Sequence, residues 1–335
     1  MLRLGALVVG VAALTGALLW LGGGSASPTP TGAATVSFVE TFDGNPVGPE
    51  PFRSANWDVV VHSRNSQAWN QMDPAVAQHG PDCAAPPATH TTDGSYEAAV
   101  FLCKNHVMTI IDAGGYGVIY LTPNHMADWS GGEAVIHLDV STLRTSGRDW
   151  WDVWVSPWAE HLSLPLEVGL PDLQGPPRNA LQFQMRGGLN AICPHLYRDF
   201  VEVGLATCAR TSYSDFLTPS ATVRSTFEIR ISRTHLKVWM PTLGLVWFDA
   251  DIPPLSFTQG VVQIGHHSYN PGKATYDPEE LCAVSLGEPC HANTWHWDNV
   301  SISPSVQFTI IKGDRRYVDW ATTDRVTFDA PAPAN

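Results

Sequence analysis

Leu181-Gln-Phe-Gln-Met-Arg186 alternates apolar and polar side chains without a break, and Trp150-Trp-Asp-Val-Trp-Val-Ser156 carries a second alternation upstream. A period of two is the mark of a strand with two unlike faces. In the first stretch Leu181, Phe183 and Met185 share one side, and Gln182, Gln184 and Arg186 share the other. In the second, Trp151, Val153 and Val155 form an apolar side, opposite Trp150, Asp152, Trp154 and Ser156. Working outward, short runs of the same kind fall at residues 35–42, 57–62, 98–103, 117–121, 134–140, 200–204, 225–232, 236–240, 245–248, 261–265 and 295–303. Gly, Pro, Asn and Asp separate them, few segments show a helical period, and no strand–helix alternation or internal repeat is visible. The pattern predicts a single all-β domain, an antiparallel sandwich or barrel.

The composition narrows the class. The 335 residues carry a net charge of −13, only 15% charged residues, and 13 Trp. Apolar content of 44% is too high for a disordered chain. A general nucleic-acid binder needs a basic surface, which this chain lacks. Ala, Glu, Lys and Leu do not dominate as in a helical bundle.

Residues 1–27 have a basic start, 18 uncharged residues from Leu4 to Leu21, and small residues before Pro28. This layout predicts either a cleaved secretory signal or an uncleaved N-terminal anchor. Both place the chain outside the cytoplasm, secreted or held at the cell surface, and a membrane is a partner only if the segment stays. Residues 28–34 read as a flexible leader, 35–304 as the sandwich, and 305–335 as an extension with a hairpin signal and a Pro/Ala tail. Six cysteines, Cys83, Cys103, Cys193, Cys208, Cys282 and Cys290, suit an exported protein, and their order suggests bridges 83–103, 193–208 and 282–290. Cys282, Cys290, His291 and His296 also admit a zinc reading, which export disfavours. Two long connections, 63–96 and 158–177, are candidate functional loops.

An ordered set of segments points to a family. Phe38-Val-Glu-Thr-Phe-Asp-Gly44 comes first, then Thr226-Phe-Glu-Ile-Arg-Ile-Ser232, Leu236-Lys-Val-Trp239, Asp251-Ile-Pro253 and Gly260-Val-Val-Gln-Ile-Gly265, and Trp295-His-Trp-Asp-Asn-Val-Ser-Ile-Ser303 closes the series. The set resembles the concanavalin A-like lectin/glucanase superfamily over residues 35–304. The resemblance implies a two-sheet antiparallel jelly-roll sandwich and an extracellular glycan as partner. It also implies a structural calcium held by Asp298 with Glu40 and Asp43. The hydrolases of that superfamily carry Glu-x-Asp-x-x-Glu on one strand, and this chain does not. Asp149 and Asp152 are three residues apart, so an unbulged strand turns them to opposite faces.

Indoles beside hydrogen-bonding groups suit a sugar ring, whose C–H face stacks while its hydroxyls pair. Trp150, Asp152, Trp154, Gln182, Gln184, Arg186, Gln263 and His267 form the expected carbohydrate-binding face. Asp152, His267 and Glu202 are the candidate catalytic groups, with Glu167 a further acid. His266 shares the side of Val262 and Ile264 and reads as structural. Asn299-Val-Ser301 matches a glycosylation sequon but sits in an expected strand. Neither His-Glu-x-x-His nor Gly-x-Ser-x-Gly occurs, which argues against a zinc protease or an α/β-hydrolase. Three readings follow: a carbohydrate-binding, glucanase-like module; a divergent glycoside hydrolase or polysaccharide lyase using Asp152; and a structural surface protein.

Overall fold

The computed structural model describes residues 36–43, 56–63, 98–103, 105–111, 116–142, 149–158, 178–186, 192–205, 223–269, 293–308 and 317–319. The signal or anchor, the leader, nearly all of both long connections, Glu167, and Cys83, Cys208, Cys282 and Cys290 lie outside these residues. Cys103 is buried and disulfide-bonded.

The described residues form seventeen strands and one 3-10 turn, Pro241–Leu243. The strands are β1 (Val36–Glu40), β2 (Trp57–Ser63), β3 (Ala98–Cys103), β4 (His106–Ile111), β5 (Tyr116–Pro123), β6 (His125–Asp128), β7 (Glu133–Ser141), β8 (Asp149–Ser156), β9 (Asn179–Arg186) and β10 (Ile192–Arg198). They continue with β11 (Val201–Val203), β12 (Ser225–Ser232), β13 (His235–Met240), β14 (Leu245–Asp251), β15 (Gln259–Tyr269), β16 (Asn293–Gln307) and β17 (Tyr317–Asp319). All pair antiparallel except β17, which runs parallel to β2.

The pairings resolve into two sheets. The first runs β3–β4–β16–β7–β12–β13–β14, with β1 lying along β16 beyond the end of β4. The second runs β17–β2–β5–β15–β8–β9–β10–β11, with β6 continuing the line of β5 along β15. Ser305–Gln307 of β16 also pair with β6, which joins the sheets along one edge. This is a two-sheet jelly-roll sandwich. Its β16 continues to Gln307, past the expected boundary at 304.

Alternation directs the core. Ile136, Leu138, Phe227, Ile229, Trp295 and Trp297 enter it from the first sheet, and Trp151, Val153, Val155, Leu181, Phe183, Val262 and Ile264 from the second. Trp151 meets Phe227 edge-on at 4.9 Å and 89°, and Trp297 at 5.6 Å and 84°. Such pairs add about 0.5–1.5 kcal/mol each beyond their buried area. His266 is buried on this side with Nδ1 2.9 Å from Thr109 Oγ1, the structural role its parity predicts.

Two segments differ from expectation. Residues 200–204 were expected to be one strand, but β11 spans only Val201–Val203, and Asp199 and Phe200 form a turn with φ of 49° and 67°. The closing strand is bulged between Asp298 and Ser301, so Asn299 (φ 47°) is exposed and its Nδ2 donates to Asp139 Oδ2 at 2.8 Å.

Candidate functional site

The polar side of the second sheet is assembled by register. β8 pairs with β15 and β9 without a shift, so no bulge alters the parity along the strand. Gln263, Trp154, Gln182 and His195 line up in one row across β15, β8, β9 and β10. Gly265, Asp152 and Gln184 form the next row, with Tyr120 of β5 on its far side. His267, Trp150 and Arg186 form a third. On the opposite flank Tyr197 pairs with Glu202 of β11. The register therefore brings the positions of the expected carbohydrate-binding face into three adjacent rows of one sheet.

Asp152 is the hub of that face and is 0% exposed. Trp154 Nε1 and Gln182 Nε2 both donate to its Oδ2 at 2.8 Å, and His267 Nε2 lies 3.0 Å from its Oδ1. A buried carboxylate is tolerable only with such compensation. The His267 ring is clamped as well. Trp150 stacks on it at 5.0 Å and 6°, and Tyr120 meets it edge-on at 5.5 Å. Gly265 makes this packing feasible. A Cβ there would stand 2.1 Å from Asp152 Oδ1, 2.8 Å from His267 Nε2 and 2.9 Å from Tyr120 Cε1. Gly265→Ala is therefore expected to destabilise the fold by about 2 kcal/mol, in the range of overpacked cores. A lowered urea midpoint at unchanged slope would show it; an unchanged midpoint would mean that the hub relaxes freely.

The alternation predicted a wet groove, and the structure corrects this for the hub. Trp150, Asp152, Trp154, Gln182, Gln263 and His267 are all buried. The accessible part of the face lies toward β10 and β11, at Gln184, His195, Tyr197 and Glu202. There the rings form a series. Tyr197 stacks on Trp154 at 5.8 Å and 23°, and His195 on Tyr197 at 6.4 Å and 17°. His195 Nδ1 lies 2.7 Å from Glu202 Oε1. Burial, then the negative charges of Glu202 and Asp152, push the Tyr197 hydroxyl up to about 12, so it keeps its proton. The hydroxyl donates to Gln182 Oε1 at 3.5 Å. Gln263 Nε2 donates to Thr122 Oγ1 at 3.3 Å, while Gln263 Oε1 and Ser156 Oγ are buried with no protein partner.

Sequence reasoning missed His195 and Tyr197 because β10 was not expected as a strand. Its signal is the alternation His195-Leu196-Tyr197, masked by Cys193-Pro194. Pro194 lies outside residues 196–198, the stretch that pairs with β11, so it has a neighbouring strand on one side only.

Asp152 and Glu202, the candidate acids among the described residues, do not form a hydrolase pair. Asp152 and Glu202 are three strands and four residues apart, roughly 20 Å between Cα positions. Glycosidases need their carboxyls within roughly 5–10 Å. The expected calcium residues are also engaged by the protein. Arg224 Nη1 donates to Asp298 Oδ2 and the Asn299 amide to Oδ1, at 2.9 and 2.8 Å. Glu40 accepts from the Phe42 amide at 2.9 Å and from Trp57 Nε1 at 3.4 Å. Asp43 is near enough to Asp298 to raise its pKa, behind the larger effect of burial. Among the described residues no three His, Cys, Asp or Glu side chains gather as metal ligands.

No protein-family model matches the chain, and no curated protein matches it. Among solved structures, the chain is similar to LamAcat from Zobellia galactanivorans, at 9% identity and a TM-score of 0.45 over 80% of this chain and 96% of that one. It is similar to a prokaryotic beta-1,3-1,4-glucanase (lichenase) from a mouse hindgut metagenome, at 9% identity and 0.43 over 80% and 99%. A third is a beta-1,3-glucanase from Mycobacterium marinum, at 13% identity and 0.41 over 80% and 99%.

Proposed function

We propose that the chain is an extracellular, non-catalytic module that binds a neutral polysaccharide on the β8–β11 flank of the second sheet. The observation that carries this reading is the stacked series Trp154–Tyr197–His195, reaching from the buried hub to the accessible edge. The half-buried rings of Tyr197 and His195 offer an apolar face to a sugar ring, and the half-buried Gln184 amide beside them pairs with hydroxyls. Gln182 and Gln184 flank the series on β9. The charge on this flank favours a neutral ligand. Asp152 and Glu202 are acidic, and His195 is already engaged with Glu202. A uronate polymer would meet repulsion there, which weighs against a lyase. The buried, fully engaged Asp152 acts as a positioning residue in this reading, holding Trp154, Gln182 and His267 in place.

The test is calorimetric titration of the protein with a β-1,3-glucan, a mixed-linkage β-glucan and polygalacturonate, with reducing and unsaturated sugar assayed in parallel. Binding of a neutral glucan without product is expected. Tyr197→Ala should weaken it at least tenfold, about 1.4 kcal/mol. Product release abolished in Asp152→Asn would replace this reading with a hydrolase or lyase. No binding across the panel would leave the structural surface protein.

A further inference from the structure

The hairpin from β10 to β11 turns in two residues, with Arg198 opposite Val201. Both central residues are left-handed, Asp199 at φ 49° and Phe200 at φ 67°. This turn matches the twist of a hairpin and calls for Asn, Asp or Gly. Asp199 meets the requirement. Phe200 does not, because its Cβ crowds the following carbonyl, and a bulky residue at this φ is an outlier. The fold receives little packing in return, since Phe200 is 62% exposed and Val201 beside it 65%. The turn is nevertheless braced. The Phe200 amide donates to Arg178 O at 3.1 Å, Arg178 Nε to Asp199 Oδ1 at 3.1 Å, and Arg198 Nη2 to Pro254 O. An aromatic ring is thus displayed, on a fixed backbone, in a conformation that disfavours it. Strain of this kind persists where the surroundings impose it, and it clusters at ligand contacts.

Its position supplies the ligand. Phe200 stands two residues before Glu202, the partner of Tyr197, so roughly 7 Å along the strand from that pair. It therefore lies at the hairpin end of the β10–β11 flank, beyond Tyr197 and on the side away from His195. We propose that Phe200 is a rim contact for a polysaccharide chain that leaves the face over the β10–β11 turn, its ring stacking on a sugar ring beyond those held by Tyr197. This inference rests on the glycan reading above and adds that affinity rises with chain length.

The experiment titrates the full chain with a β-1,3-glucan polymer and with its disaccharide, using wild type, Phe200→Gly, Phe200→Tyr and Tyr197→Ala, and records the melting temperature of each. Phe200→Gly is expected to bind the polymer five- to tenfold more weakly, to bind the disaccharide as wild type does, and to melt at or above the wild-type temperature. Phe200→Tyr should keep polymer affinity. Wild-type polymer affinity in Phe200→Gly, with binding lost in Tyr197→Ala, would overturn the rim contact and leave the glycan site standing. A clearly lower melting temperature in Phe200→Gly would overturn it too, by making the ring structural. Failure of wild type to bind either probe would remove the glycan reading itself.

Discussion

Asp152→Ala is expected to destabilise the protein by about 3–5 kcal/mol, the cost of breaking a buried charge network by deleting one partner. The carboxylate is the shared acceptor of Trp154 Nε1, Gln182 Nε2 and His267 Nε2, on strands β8, β9 and β15. Alanine removes that acceptor, leaves buried donors to bear their desolvation cost, and opens a small void between three strands. At about 2–4 °C per kcal/mol for a chain of this size, the melting temperature should fall by roughly 10 °C. Asp152→Asn should lose less, because one oxygen remains an acceptor while the new NH2 confronts existing donors. Urea unfolding of the three proteins, with glucan titration of each, tests the positional role. Asp152→Asn with wild-type stability and a lost turnover would make the group chemical rather than positional.

Acid is expected to unfold the protein through His106. This imidazole is buried, with Nε2 2.9 Å from His296 Nδ1, on the side of the first sheet away from the core. Burial, and secondarily the Arg224 guanidinium, lower its pKa to about 3. In the unfolded chain it protonates near 6.5. A lowered folded value means that protons bind the unfolded state first. The contribution is therefore whole above about pH 6.5 and is lost as pH falls toward 3. The full span is worth roughly 5 kcal/mol at about 1.4 kcal/mol per pH unit. Denaturant midpoints should hold from pH 7.5 to about pH 6.5 and then fall toward pH 4, and His106→Gln, which cannot titrate, should flatten that slope. Parallel slopes in the two proteins would assign acid lability to other groups. The carboxylates Asp139 and Glu228 are held below their usual values, chiefly by hydrogen bonds from His137, Asn299 and Thr226 and from Arg230 and Trp239, against the opposing effect of burial. They add a loss of the same sign at lower pH.

Much of the sandwich was legible because the period of two is local. Residues 225–232 alternate cleanly, and β12 spans those residues. Parity also separated His266, turned to Thr109 and the core side, from His267, turned to Asp152. Strands without a clear alternation were missed. β6 is four residues long and buried throughout, so it has no polar phase to read. β4 follows β3 after only two residues and merges with it in sequence. β10 was hidden behind Pro194.

What the sequence by itself determined is which side of each strand turns inward and which residues compete for the polar face. Side-chain alternation follows from backbone geometry alone and needs no partner. What only the tertiary structure decided is the use of that face. The Gln182 and His267 contacts reach Asp152 from 30 and 115 residues away, and they exist only because β9 and β15 flank β8 in one register. A shift of one residue in either would send those side chains to the opposite face. The same register carries Tyr197 and His195 onto the accessible flank and leaves Asp152 buried and engaged by three donors. Register between distant strands is set by packing both sheets at once, which no local pattern encodes.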